Sequence, residues 1–267
     1  MRINGLEYHV ETAGDKEPLL LLHGFTGNGN TWNDTVAMLR DEFRCIVVDI
    51  IGHGKTEKPD DPGRYDITKA AADLRAVLQA LGIRRASVLG YSMGGRLALT
   101  FAVRYPQMVD KLVLESASPG LKTEAERLAR RERDEQLAER ILAGGIEAFV
   151  SHWENLPLFA SQKQLPDGVR GKIRKQRLEN DPAGLANSLR GMGAGAQPSW
   201  WGRLSELHFP VLLATGEWDA KFCQIAGEME ERLPNAKKII FPHAGHAIHV
   251  EDPKKFGTMV KGFLKNC

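Results

Sequence analysis

The feature that most constrains this chain is a succession of short, unbroken apolar runs: Leu19–Leu22, Cys45–Asp49, Ala86–Leu89, Leu112–Leu114, Val211–Ala214 and Lys238–Phe241. Each is brief and does not alternate polar with apolar, which predicts strands of a parallel sheet buried on both faces. Helical stretches follow several of them, notably Thr68–Leu81, Gly94–Tyr105 and Pro253–Leu264. This alternation implies right-handed crossovers and a doubly wound, mostly parallel sheet, an α/β fold. The early segment Ile3–Thr12 is expected to add an antiparallel hairpin at one edge.

The rhythm breaks between about Gly120 and Arg203. There the sequence turns charged and helical, with ERLARRERDEQLAERIL first and VRGKIRKQRLEN later. In a doubly wound fold an insertion after a central strand, on its carboxyl side, lands over the crevice where ligands bind. The sheet resumes at Val211. The 267 residues therefore read as a single domain, with core 1–119 and 204–267 and a helical cap at about 120–203.

Composition removes several classes of function. With 36 basic and 34 acidic residues the net charge is +2, which gives no reason to expect nucleic acid or an anionic membrane as partner. The opening MRINGLEYHV lacks the apolar stretch of a signal peptide, and no run approaches the roughly 20 apolar residues of a membrane span. A cytoplasmic protein is expected. Cys45, Cys223 and Cys267 are odd in number and far apart, with no CxxC spacing to suggest zinc. Cys45, inside an apolar run, reads as a buried free thiol.

Gly90-Tyr91-Ser92-Met93-Gly94 stands between the strand SVLG and a helix. That is the pattern of a nucleophile elbow, whose glycines allow the tight turn that presents a serine at the sheet's edge. Asp219 follows VLLATGEW, and His246 follows KKIIF in PHAGHAIH. The order Ser, Asp, His, each at the carboxyl end of a strand, is the order of the α/β-hydrolase fold. His23-Gly24-Phe25 after LLLL is the loop that supplies one oxyanion-hole amide in that fold. The residue after the nucleophile supplies the other, so Phe25 and Met93 are the expected donors. His53, in the turn Asp49–Gly54, reads as structural.

Arg96 lies one helical turn after Ser92, on the same face. A guanidinium there needs an anion nearby. It is either paired with an acid of the cap or holds a carboxylate of the substrate. From Gly120 to Arg203 there are 10 Arg and 4 Lys against 11 Asp and Glu, with Trp153, Trp200 and Trp201 among the chain's five tryptophans. Such a lid suits a planar, anionic ligand better than a lipid ester.

The phrases GYSMGGRLAL, LESASPGL, RRERDEQLAERI, WENLPLF, SLRGMGAGAQPS and GEWDAKF run through core and cap. They resemble the MenH family of the α/β-hydrolase superfamily, the 2-succinyl-6-hydroxy-2,4-cyclohexadiene-1-carboxylate synthases of menaquinone biosynthesis. The resemblance implies a lyase that eliminates pyruvate from an enolpyruvyl cyclohexene bearing a succinyl group, a small-molecule polycarboxylate. No metal or organic cofactor is expected. By position, Ser92, Asp219 and His246 match the family triad, and Tyr91 and Arg96 match substrate-contacting positions. In the cap, Arg130, Trp153 and Arg177 match residues that bind carboxylates or line the pocket, with Arg127, Arg131 and Arg133 close rivals of Arg130. Two other readings stay open: a serine hydrolase acting on an ester or carbon–carbon bond of an anionic substrate, and a ligand-binding receptor. The intact triad argues against the receptor.

Overall fold

The computed structural model describes residues 1–266, and Cys267 lies outside them. In chain order the strands are β1 (Arg2–Ile3), β2 (Leu6–Glu7), β3 (Val10–Ala13), β4 (Glu17–Leu22), β5 (Phe43–Val48), β6 (Ala86–Tyr91), β7 (Val109–Glu115), β8 (Val211–Gly216) and β9 (Ala236–Phe241). The α-helices are α1 (Asn33–Leu39), α2 (Ile67–Ala80), α3 (Met93–Arg104), α4 (Glu124–Trp153), α5 (Asp167–Leu178), α6 (Pro182–Met192), α7 (Ala220–Glu230), α8 (Ile248–Glu251) and α9 (Pro253–Asn266). Among the described residues no helix is long and apolar enough to cross a membrane.

Seven strands form one sheet in the order β3-β5-β4-β6-β7-β8-β9. Every pairing in it is parallel except that of β3 with β5. Each expected run forms the body of a strand, with Asp49 just past the end of its own. The reason is plain in β4, which lies between β5 and β6 and has no solvent face. Leu19, Leu20, Leu21 and Leu22 are all fully buried there, each worth about 1.5–3 kcal/mol of transfer free energy. Edge strand β9 is different, and its Ile240 is 45% exposed. Cys45 is buried on β5, and burial pushes its thiol up to about 11, so it behaves as an apolar side chain.

The amino-terminal segment departs from the expected hairpin and divides in two. Asn4 and Gly5, both at positive φ, close a two-residue turn between β1 and β2, which form a ribbon separate from the main sheet. Buried Asp73 of α2 holds this ribbon, accepting from Asn4 Nδ2 (2.8 Å), Tyr8 Oη (2.7 Å) and both Arg64 Nη atoms. Only β3 joins the sheet edge.

Between β7 and β8 the chain leaves the sheet for α4, a 3-10 segment at Pro157–Gln164, α5 and α6. A capping box, Thr123 with Glu126, starts α4. Gly145 (φ 73°) breaks its helical path, a conformation glycine adopts without a Cβ penalty. Ala138, Ile141, Phe149 and Val150 of α4 pack on Leu185, Ala186 and Leu189 of α6 as a small separate core. The two roots of this insertion meet. The Trp200 amide donates to the Pro119 carbonyl (2.8 Å), and the Trp201 indole donates to the Gly120 carbonyl (2.9 Å).

Candidate active site

Strand β6 ends at Tyr91, helix α3 opens at Met93, and Ser92 between them has φ 51° and ψ −107°. For a non-glycine residue this conformation costs on the order of 1–3 kcal/mol and persists only where its surroundings over-determine it. They do so here: the Ser92 amide donates to the Glu115 carbonyl of β7 (2.8 Å). A Cβ on Gly94 would stand 2.2 Å from the Leu22 carbonyl oxygen, and one on Gly90 would stand 2.4 Å from that of Gly94. Only glycine lets helix, strand and serine come this close.

Asp219, just past β8, caps α7. Its Oδ1 accepts from the Phe222 amide (3.4 Å), which turns Oδ2 toward His246 Nδ1 at 2.6 Å. The His246 Nε2 atom lies 2.9 Å from Ser92 Oγ. An ionised carboxylate only accepts, so Nδ1 carries the proton and Nε2 is left to accept from the serine hydroxyl. Asp219 and His246 are both buried, so the pair is shielded from water.

Phe25 and Met93 both border the cavity in front of Ser92. Met93 is in the first turn of α3, where amides have no intrahelical acceptor. The Phe25 loop is braced from behind by two buried histidines. His23 accepts the Ile50 amide at Nε2 (2.9 Å) and donates from Nδ1 to the Gly24 carbonyl (2.8 Å), and burial keeps it neutral by lowering its pKa. His53 touches Phe25 edge-on, and burial above all, with His23 second, pushes its pKa down to about 3. His53 supports the loop and does not face the cavity.

The cavity in front of Ser92 has a volume of about 260 Å³. Its floor comes from the sheet side and its roof from the insertion, with Phe25, Tyr91, Ser92, Met93, Arg96, Arg130, Trp153 and His246 all on its wall. Trp153 packs against Phe25, Phe149 and Phe159, at ring separations of 5.4, 5.4 and 5.7 Å. Arg96 donates to the Met192 carbonyl (2.7 Å) and to Gln197 Oε1 (2.5 Å). Among the described residues no carboxylate lies within 4.0 Å of its guanidinium, so the expected alternative of an ion pair with a cap acid is not formed. Burial, and then the charge of Arg130, push the Arg96 pKa down to about 10. Arg130 is bonded to Asp134 (2.7 Å), whose second oxygen is buried without a partner. Two guanidinium groups on one wall thus have a single carboxylate between them.

Arg177 stands elsewhere. Buried at 6% exposure, it donates to Gln162 Oε1 (3.0 Å) and lies over the Phe159 ring (4.8 Å). It borders two neighbouring clefts, one of which shares Phe25, Tyr91 and Phe159 with the cavity of Ser92. Arg127 and Arg131 are occupied by Glu124, and Arg133 is exposed, which leaves Arg130 alone of that cluster on the cavity. Sequence reasoning did not single out Asp134, Gln197, Phe159 or Lys221. The spacing Arg130–Asp134, four residues apart on a helix, was the available signal for the first.

The α/β-hydrolase fold family matches residues 17–253 of this chain. A relative from Bacillus subtilis (strain 168), provisionally named a 2-succinyl-6-hydroxy-2,4-cyclohexadiene-1-carboxylate synthase, is 48% identical over 263 residues, 98% of this chain and 96% of its own. The synthase of that name from Enterobacter sp. (strain 638) is 33% identical over 247 residues, covering 92% of this chain and 91% of its own. The solved structure of MenH from S. aureus superposes with a TM-score of 0.92 at 39% identity, over 97% of each chain. The chain is therefore an enzyme of the α/β-hydrolase family and belongs, within it, to the 2-succinyl-6-hydroxy-2,4-cyclohexadiene-1-carboxylate synthase, or MenH, family.

Proposed function

We propose that the protein is a pyruvate-eliminating lyase of menaquinone biosynthesis. It converts 2-succinyl-5-enolpyruvyl-6-hydroxy-3-cyclohexene-1-carboxylate into 2-succinyl-6-hydroxy-2,4-cyclohexadiene-1-carboxylate by 2,5-elimination. The observation that carries this reading is the wall of Arg96 and Arg130, two cations with one carboxylate, facing the same cavity as Ser92. A neutral ester gives such a wall nothing to bind. A substrate with several carboxylates completes it.

In this reading Ser92, relayed through His246, takes the ring proton beside the succinyl carbonyl, and Asp219 holds the imidazole and its positive charge in place. The electron pair from that C–H bond moves through the ring double bond, and the C–O bond to the enolpyruvyl group breaks. Pyruvate leaves as its enolate and takes up a proton. Negative charge that develops on the succinyl oxygen is met by the Phe25 and Met93 amides, a contribution of about 3–4 kcal/mol per donor where one has been removed. Tyr91 and Trp153 line the ring site, and Arg177 serves a carboxylate only where that group reaches past Phe159.

Residues 1–119 and 204–267 act as one core with 120–203 as its cap. The free thiols Cys45 and Cys223 fit residence in the cytoplasm. Incubation with the enolpyruvyl substrate should release one pyruvate per cyclohexadiene formed, followed by coupled reduction of pyruvate and by mass spectrometry. Hydrolysis of p-nitrophenyl esters with no pyruvate release would replace this reading with the serine hydrolase. Enzyme quenched during turnover should carry no substrate-derived acyl group on Ser92.

A further inference from the structure

We propose that Glu251 is a positioning residue for His246: its carboxylate holds the backbone on both sides of the histidine and, through Ser161, ties that backbone to the insertion. The Gly245 amide donates to Glu251 Oε2 (2.6 Å), and the Ala247 amide donates to Oε1 (3.3 Å). The Ser161 hydroxyl donates to the same Oε1 (2.9 Å). His246 therefore stands between two amides fixed by one carboxylate. From the other side, the Trp218 amide donates to the Ala244 carbonyl (2.9 Å), and Asp219 itself bonds the imidazole.

The contact with the insertion is close. A Cβ on Gly245 would fall 2.1 Å from Ser161 Oγ, so glycine at this position is what admits the serine. Ser161 belongs to the 3-10 segment Pro157–Gln164, whose Phe159 also meets the His246 ring edge-on at 6.2 Å. One segment of the insertion thus touches the histidine's ring and, via Glu251, its backbone. When the segment is seated, the imidazole is braced at both places. Seating of the insertion and alignment of Nε2 on Ser92 are coupled.

The inference rests on the reading of Ser92 and His246 as the reacting pair. Pyruvate release is measured for Glu251→Ala, Glu251→Gln, Ser161→Ala and the Glu251→Ala/Ser161→Ala double variant. Glu251→Ala is expected to lower kcat by about 10²-fold with KM nearly unchanged, the order of loss a misplaced catalytic group brings. Glu251→Gln, which keeps one oxygen for one amide, recovers part of that loss. Ser161→Ala loses a smaller factor, and loses nothing further once Glu251 is alanine, because it acts through the carboxylate. Labelling of Ser92 by a fluorophosphonate falls in the same ratio, since that reaction needs His246 and none of the arginines. Wild-type kcat in a folded Glu251→Ala or Glu251→Gln variant overturns the proposal. So does a Ser161→Ala loss that multiplies the loss of Glu251→Ala. If instead His246→Ala itself turns over normally, the failure belongs to the underlying assignment of the reacting pair.

Discussion

The floor of the cavity and its roof are built on different principles. On the floor, position is set by backbone: Ser92 at φ 51°, glycines that admit no Cβ, and an aspartate that caps a helix while it orients a histidine. Asp219 and His246 are buried there, and Ser92 is half-buried at the cavity. The roof is a thin layer of helices with a small apolar core, and much of its surface is laced by exposed ion pairs such as Arg127–Glu124 and Arg174–Glu154. Such pairs typically contribute about 0–1 kcal/mol each. In the proposed reaction the floor supplies the reacting groups, and floor and roof together, through Arg96 and Arg130, supply the cations.

Changes at the floor should be the most severe. Ser92→Ala and His246→Ala are each expected to reduce pyruvate release by about 10⁴-fold or more, because members of such a triad act as a unit. Steady-state rates alongside thermal melts check this. A Ser92→Ala enzyme that still turns over at a substantial rate breaks the distinction at its root.

Arg96 sits on the floor but serves the charge of the substrate, so it tests the boundary. Arg96→Ala should cost about 2–5 kcal/mol of transition-state binding, some 30-fold to several thousand-fold in kcat/KM for the anionic substrate. A neutral p-nitrophenyl ester, where it is cleaved at all, should be little affected. Arg96→Lys should recover only part, since an ammonium lacks the planar fork. A parallel fall in both activities and in melting temperature would make Arg96 a scaffold residue.

Acid should attack the floor before the roof. Buried His53, with its pKa near 3 in the fold and near 6.5 unfolded, stays neutral while the unfolded chain takes up a proton. Its contribution is fully present above pH 6.5 and is lost as pH falls toward 3. By pH 4 this amounts to about 3 kcal/mol. Urea denaturation from pH 7 to 4 should show a flatter loss for His53→Leu than for wild type. Identical curves would remove His53 from the account of acid stability.

The mildest change belongs to the roof. Arg190 of α6 grips Glu135 of α4 with Nε 3.0 Å from both carboxylate oxygens, yet both side chains reach solvent. Arg190→Ala should cost about 1 kcal/mol or less in urea denaturation. A loss above about 3 kcal/mol, the scale of a buried pair, would mean that the roof is held as the floor is.

What the sequence revealed follows the same division. Buried strands announce themselves because a strand with no solvent face has no polar residues to interrupt it, as with Leu19–Leu22. The elbow announces itself because only glycine fits at positions 90 and 94. The roof's periodicity shows helices but not their rotation, so it does not separate Arg130 from Arg127 and Arg131, which Glu124 engages. Arg177 was equally opaque, since its contacts with Phe159 and Gln162 come from a separate segment of the insertion. The hairpin expected at Ile3–Thr12 missed a local signal, the Asn4-Gly5 pair, which closes a turn too early for both strands to reach the sheet. Glu251 carries no motif of its own, because its meaning lies in amides that every residue possesses.

The meeting of the insertion's two roots, Trp200 on Pro119 and Trp201 on Gly120, makes the roof an exchangeable part. A segment whose ends are pinned side by side adds little to the entropy of closing the chain when it grows, only about 0.6 kcal/mol for each doubling of length. Lineages and engineers alike can therefore lengthen, shorten or replace residues between Gly120 and Trp200 while β7 and β8 stay in register beneath. A transplanted roof would bring new substrate preference onto an unaltered reacting centre, provided it kept a serine in reach of Glu251.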